Sequence, residues 1–241
     1  MPYDADILAL SPDQYWRLYS DATSTGGAAS TPSGITFGAG IQPDGTGAAV
    51  FERGSDNIAV ASTTGLDDAT HGAYTVSAII QPTLDTLPLT VAKIGAQTNG
   101  FHAFLTAGMV PALTVVASAT SAASAFANRP LVINEPANVV WRFNAGTLDI
   151  FVDGRLVASV AGGPSTFGPS TSGTDIGGAG ATSGQVRLSN DTDFTVYTLS
   201  ASVSDLAFFS RAVTDTDVFD VLFSQGATAR VRDVTSEGFQ F

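Results

Sequence analysis

The stretch Val139–Val160, VVWRFNAGTLDIFVDGRLVASV, constrains the fold more than any other part of the chain. It holds two tight-turn dipeptides, Ala145-Gly146 and Asp153-Gly154, between three runs rich in apolar residues. Asp-Gly between such runs is a strong hairpin signal. A type I′ turn needs positive φ at both central residues, and glycine adopts it without steric penalty. With Asp153-Gly154 as the loop, Val152 faces Arg155, Phe151 faces Leu156 and Ile150 faces Val157. With Ala145-Gly146 as the preceding loop, Phe143 faces Leu148, Trp141 faces Ile150 and Arg142 faces Asp149. Side chains alternate between the two faces of a strand, so Leu148, Ile150, Val152 and Val157 share one face. Arg142 and Asp149 form a cross-strand charge pair on the other. Both loops independently put the large apolar residues on a single side. The expectation is an antiparallel sheet with one buried face, leaving Arg142, Asp149 and Phe151 on the other for contact.

The same reading extends along the chain. A helical turn is predicted near Asp6–Leu10, then a strand at Tyr15–Leu18 and a Gly/Ser/Thr loop over residues 21–33. Short strands follow at Ile35–Ile41, Ala48–Glu52 and Ile58–Ala61. The run from Ala73 to Pro82 reads as a long half-buried strand, and segments starting at Leu89, Gly100 and Leu113 continue a meander. Residues 161–184 read as a long surface loop with a short strand near Asp175–Gly177, and a late strand starts at Ser202. Many short strands with turn signals about every ten residues predict an all-β sandwich. One helix is predicted near the end. Thr214 is its N-cap, Asp215 and Asp217 sit in its first turn, Val218, Val221 and Leu222 recur at helical spacing, and Gly226 ends it. The expected organisation is one domain over residues 1–226 and a tail over 227–241 that either packs on its own sandwich or docks on a neighbouring subunit.

Composition narrows the chemistry. The chain has 241 residues, a net charge of −12 and no cysteine. The acidic balance disfavours nucleic acid, whose phosphates it would repel. The missing cysteines exclude disulfides, thiol nucleophiles and Cys-ligated zinc. The N-terminus MPYDADILALSPDQYWRL lacks the basic and apolar regions of a secretory signal, and no apolar run is long enough to span a bilayer.

Three pieces together carry a family resemblance. Pro12-Asp13-Gln14-Tyr15-Trp16-Arg17-Leu18 resembles the P-x-x-YWRL opening of laminin-G-like, concanavalin A-like jelly-roll domains. Trp141–Val160, with Val152-Asp153-Gly154, is similar to their central meander, and Ser202–Gly226 to their closing strand and helix. Phe208-Phe209 stands where the family often has an aromatic-Asn pair, and Asp217 where it often has Glu. The resemblance implies a two-sheet antiparallel jelly-roll sandwich with one short C-terminal helix. The scaffold hosts lectins, adhesion modules, glycan hydrolases and virion proteins, so it leaves function open. An opening without a signal peptide resembles the bacteriophage versions found in tail, fibre or capsid-surface proteins.

Retaining glycosidases need two carboxylates about 5–5.5 Å apart. The three glutamates, Glu52, Glu135 and Glu237, form no E-x-D-x-E pattern. Asp191 and Asp193 are the best carboxylate pair, since they share a face if their segment is a strand. No G-x-S-x-G elbow accompanies His71 or His102. His71 reads as an exposed loop residue and His102 as a sheet-surface residue. No residue is assigned a catalytic role. Calcium is the cation to consider, with Asp67, Asp68, Asp191 and Asp193 as its candidate ligands; no other cofactor is expected. Tyr3, Phe167 and Tyr197 are the candidates for stacking on a sugar, because Trp16 and Trp141 fall on core faces. Phe239 and Phe241 of the tail are candidates for partner contact, with Val231 and Val234.

These readings converge on a non-catalytic virion surface module, made in a host cytoplasm, that contacts other virion proteins, copies of itself or a cell-surface glycan. A free carbohydrate-binding or adhesion module is the alternative, and an unusual glycan hydrolase a third.

Overall fold

The computed structural model describes residues 3–42, 45–52, 56–60, 66, 69–83, 88–96, 99–118, 120–169, 174–178, 184–187, 193–196 and 199–223. The elements run in chain order as helix α1 (Tyr3–Ala9), β1 (Gln14–Trp16), β2 (Ser30–Ser33), β3 (Thr36–Gly38), β4 (Ala48–Phe51), β5 (Asn57–Val60) and β6 (Ala73–Pro82). Then come β7 (Leu89–Ala96), β8 (Asn99–Leu105), β9 (Pro111–Ser118), β10 (Ser121–Phe126), β11 (Ala137–Asn144), β12 (Thr147–Val152) and β13 (Arg155–Val160). The last are β14 (Thr174–Ile176), β15 (Gly184–Arg187), β16 (Asp193–Val196), β17 (Ala201–Phe209), α2 (Asp215–Asp217) and a π-helical turn over Val218–Phe223.

Two antiparallel sheets pack face to face. The first has the order β13-β12-β11-β6-β17-β4-β3, with β1 also paired to β17; the second has the order β10-β9-β8-β7-β14-β5-β2. A separate hairpin joins β15 to β16. Trp141, Phe143, Leu148, Ile150 and Val152 of the first sheet meet Phe101, Ala103, Leu113 and Val115 of the second in one buried core. This is the sandwich that alternating apolar residues require.

The meander is in place. Phe143 faces Leu148, Arg142 faces Asp149 and Trp141 faces Ile150. Ala145 and Gly146, and Asp153 and Gly154, all have positive φ, as I′ turns demand. One pairing differs. Ile150 faces Ala158 rather than Val157, because a bulge lies between Ile150 and Phe151. The extra residue of a bulge leaves Val157 turned inward against the core.

A larger correction concerns the outer face of the first sheet. Asp149 is 6% and Phe151 3% exposed, so neither is available for contact. A second apolar cluster covers them: Ile7 of α1, Tyr15, Ile79, Val140, Phe151, Phe209, Val213, Val218 and Leu222. Strand β6, read as half-buried, is therefore buried on both faces, with Thr75 and Ser77 at 0% exposure. The cover is locked by Arg142. Its guanidinium donates to Asp149 Oδ2 from Nε at 3.1 Å and from Nη2 at 2.8 Å. Nη1 reaches Asp215 Oδ1 at 2.6 Å and the Val213 carbonyl at 2.9 Å. The same group lies 4.7 Å from the Phe151 ring centroid. Thr214 caps α2 as expected, in a capping box with Asp217. Among the described residues no helix is long and apolar enough to cross a membrane.

Candidate binding site

A cleft of about 320 Å³ opens beside β1, lined by Arg17, Tyr19, Ser20, Asp21, Thr23, Ser24 and Thr25. Sequence reading passed over it as the end of a strand and the start of a polar loop. The loop is nevertheless a built structure. Thr25 N donates to the Tyr15 carbonyl at 2.9 Å, and Trp16 forms a β-bridge with Ser24. The Ser24 hydroxyl donates to Gln14 Oε1 at 2.6 Å, and that oxygen also accepts from Ala28 N at 3.1 Å. Asp21 Oδ1 accepts from Thr23 N at 2.8 Å in an Asx turn. A side chain at Gly26 has no room, since its Cβ would fall 2.1 Å from the Asp13 carbonyl oxygen. Ala22 and Ala28 anchor the loop in the main core. Arg17, Asp21, Thr23 and Thr25 stay exposed.

Beneath the cleft lies a buried carboxylate. Asp205 sits in β17 with φ of 52°, at 0% exposure, where the pairing with β6 shifts between Ser204 and Ala207. Its Oδ1 accepts from the hydroxyls of Tyr15 and Tyr19, the latter at 2.8 Å, and its Oδ2 accepts from the Gln42 side-chain amide. Its own N–H donates to the Arg17 carbonyl at 3.1 Å. Burial, helped by the charge of Asp205, raises the Tyr19 phenol above its ordinary range, so it remains a neutral hydrogen-bond donor. The sequence did carry a signal here: one carboxylate inside the apolar run Val203–Phe209.

Of the sequence-derived candidates, Tyr3, Phe167 and Asp193 fall within the described residues. Phe167 is 2% exposed, and its ring packs against His71, Tyr74, Phe101 and Phe143 at centroid distances of 5.1–5.9 Å. It is a core residue, because the loop after β13 folds back and pairs through Phe167 with His71. His71 is accordingly buried rather than exposed, with Nε2 on the Leu66 carbonyl. Tyr3 is the first residue of α1, and Asp193 starts β16 opposite Arg187. Asp67, Asp68, Asp191, Tyr197, Phe239 and Phe241 lie outside the described residues, as does the whole tail. Among the described residues no three His, Asp or Glu side chains converge on a metal position.

His102 also departs from expectation, being 1% exposed. Its strand β8 is bordered by β7 and β9, and the β15–β16 hairpin lies against β9. Nε2 meets the Ala96 carbonyl at 3.2 Å, while Nδ1 is buried without a hydrogen-bond partner. Burial, with the Lys93 ammonium adding to it, pushes the imidazole down to about 4. Nearby, burial raises the Asp175 carboxyl more than Lys93, 3.9 Å away, lowers it. For Arg142, burial opposes the charged form, but the bonds to Asp149 and Asp215 outweigh it and the guanidinium is raised. An unfolded histidine titrates near 6.5, so below that pH the unfolded chain takes up a proton that folded His102 refuses. The His102 contribution to stability is therefore fully present above pH 7 and is expected to fall by about 3 kcal/mol as pH drops to 4. Urea unfolding from pH 7.5 to 4.5 measures this. The His102→Gln variant should show a shallower decline, and equal declines would refute the assignment.

The architecture defines a class: a two-sheet jelly-roll sandwich with a loop-built polar cleft at one side. The chain belongs to the concanavalin A-like lectin/glucanases superfamily, whose laminin-G-type sequence profile matches residues 52–219. No curated protein matches it in sequence. Among solved structures, it is similar to the botulinum neurotoxin serotype G binding domain, with TM-score 0.65 and 14% identity over 89% of this chain and 51% of that one. The binding domain of botulinum neurotoxin DC in complex with SialylT matches with TM-score 0.62 and 12% identity over 88% and 50%. The same neurotoxin's binding domain in complex with rat synaptotagmin II matches with TM-score 0.59 and 10% identity over 88% and 51%. The chain thus spans about half the length of these structures, and at such identity the likeness is one of fold.

Proposed function

We propose that the protein is a non-catalytic recognition module that binds a surface glycan through the cleft at Arg17–Thr25. The observation that carries this reading is the cleft itself. It combines an immobilised tyrosine ring, a guanidinium donor, a carboxylate acceptor and hydroxyls on a preformed loop. Aromatic surface beside paired donors and acceptors suits a sugar, which presents C–H faces and vicinal hydroxyls. The fold's likeness to binding domains, some solved in complex with SialylT or rat synaptotagmin II, supports the same reading. A second element of the proposal is carriage on a virion as a tail, fibre or capsid-surface protein. The aspartates Asp67, Asp68, Asp191 and Asp193 remain the proposed calcium ligands.

A glycan array probed with the purified full chain, with and without calcium, tests the reading. Binding is expected, and Arg17→Ala should weaken it about tenfold, the worth of one charge-assisted hydrogen bond. A silent array would overturn glycan recognition. Mass spectrometry of purified particles tests the virion element, which fails if the chain is missing from them.

A further inference from the structure

We infer that Asp205 is the positioning residue of the cleft and makes it selective for uncharged, hydroxyl-rich ligands over anionic ones. This rests on the glycan-binding reading above.

The argument begins with what Asp205 displaces. Apolar residues flank it at Val203, Leu206 and Phe208, and an apolar residue would continue the strand. Instead the chain buries a carboxylate and holds it at positive φ, two features that each oppose folding. Both oxygens are used only as acceptors, which is what an ionised carboxylate offers. Of the groups it gathers, Tyr19 and Arg17 line the cleft, and Tyr15 and the Gln42 amide lie buried beneath it. Without the Asp205 carboxylate, the Tyr19 hydroxyl loses its 2.8 Å acceptor and keeps only the weaker contacts to Gln42 and Thr46, while the backbone bond to the Arg17 carbonyl stays. The same carboxylate sets the local charge. With Asp21 in the lining and Asp205 beneath it on Tyr19, two carboxylates stand against the one lining cation, Arg17, in a chain of net charge −12. Neutral hydroxyls can still pair with Arg17 and Asp21, whereas an anionic sugar meets net repulsion in a partly desolvated site.

The test uses a panel in which each neutral oligosaccharide is paired with its sialylated form, read with the full chain. The neutral member should bind at least about tenfold better. Tyr19→Phe keeps the ring, removes the anchoring hydroxyl and should weaken binding several-fold with little change in melting temperature. Asp205→Asn places an amide against the Gln42 amide and should weaken binding further. Adding Gln42→Glu restores a donor–acceptor match and should recover most of the affinity. Silence across the panel overturns the glycan reading and this inference with it. Binding that prefers the sialylated members overturns this inference alone. So does binding unaltered by Tyr19→Phe and Asp205→Asn, even where Asp205→Asn lowers the melting temperature.

Discussion

Replacing Phe167 by alanine is expected to destabilise the fold by about 3–5 kcal/mol, the range for deleting a buried phenylalanine ring. The ring reaches Tyr74 and Phe143 in the first sheet and Phe101 in the second, so it bridges the sandwich at one end. Its backbone also exchanges hydrogen bonds with His71, Phe167 N to the His71 carbonyl at 3.1 Å and His71 N to the Phe167 carbonyl at 2.8 Å. Alanine keeps those bonds but empties the space between four aromatic rings that cannot all move in. Phe167→Leu should recover most of the loss, since it restores apolar volume. Denaturant unfolding at neutral pH gives the answer directly. A surface sugar platform would instead change stability by no more than about 0.5 kcal/mol on truncation, and that result would contradict the burial described here.

Arg142→Ala should cost roughly 3–4 kcal/mol, through Asp149 rather than Asp215. Asp149 is nearly buried, so removing its cation leaves a carboxylate in an apolar layer. The Asp215 side chain is 78% exposed and adds little in water. A double-mutant cycle of Arg142→Ala and Asp149→Ala should return more than 1 kcal/mol of coupling, against well under that for Arg142→Ala with Asp215→Ala. Arg142→Lys should rescue poorly, because an ammonium cannot serve Asp149, Asp215 and the Val213 carbonyl together while lying over Phe151. Amide exchange at Val218 should accelerate, since α2 and the π-helical turn lose their tie to the sheet. Equal coupling for the two aspartates would show that the charge pair is not the lock.

The local parts of this fold were legible and the long-range parts were not. The pairing of Arg142 with Asp149 follows from two dipeptides a few residues away, and a turn fixes register without help from elsewhere. The bulge at Ile150 was invisible because no special residue marks it. The outer cover was missed for a different reason. Asp149 and Arg142 look solvent-facing on a strand, and nothing near them announces that Ile7, Val218 and Leu222 close over them. His71 looked exposed among polar neighbours, since its partner Phe167 lies in a distant loop. The cleft was overlooked because residues 21–33 have loop composition, and composition does not say whether a loop is tied down. Asp205 was the clue available, a charge in an apolar strand whose neighbours on both sides must be buried.

The pairing of β1 with β17 carries a consequence for how the molecule is made. Gln14, Tyr15 and Trp16 pair with Phe208, Ala207 and Leu206, and the Tyr15 hydroxyl meets a carboxylate 190 residues further along. A nascent chain emerges in order, so β1 waits without its sheet partner until β17 has been synthesised. A chain cut short before Asp205 lacks both the carboxylate that accepts from Tyr15 and Tyr19 and the N–H that meets the Arg17 carbonyl. The proposed recognition at this cleft would thus be available only to chains completed through β17.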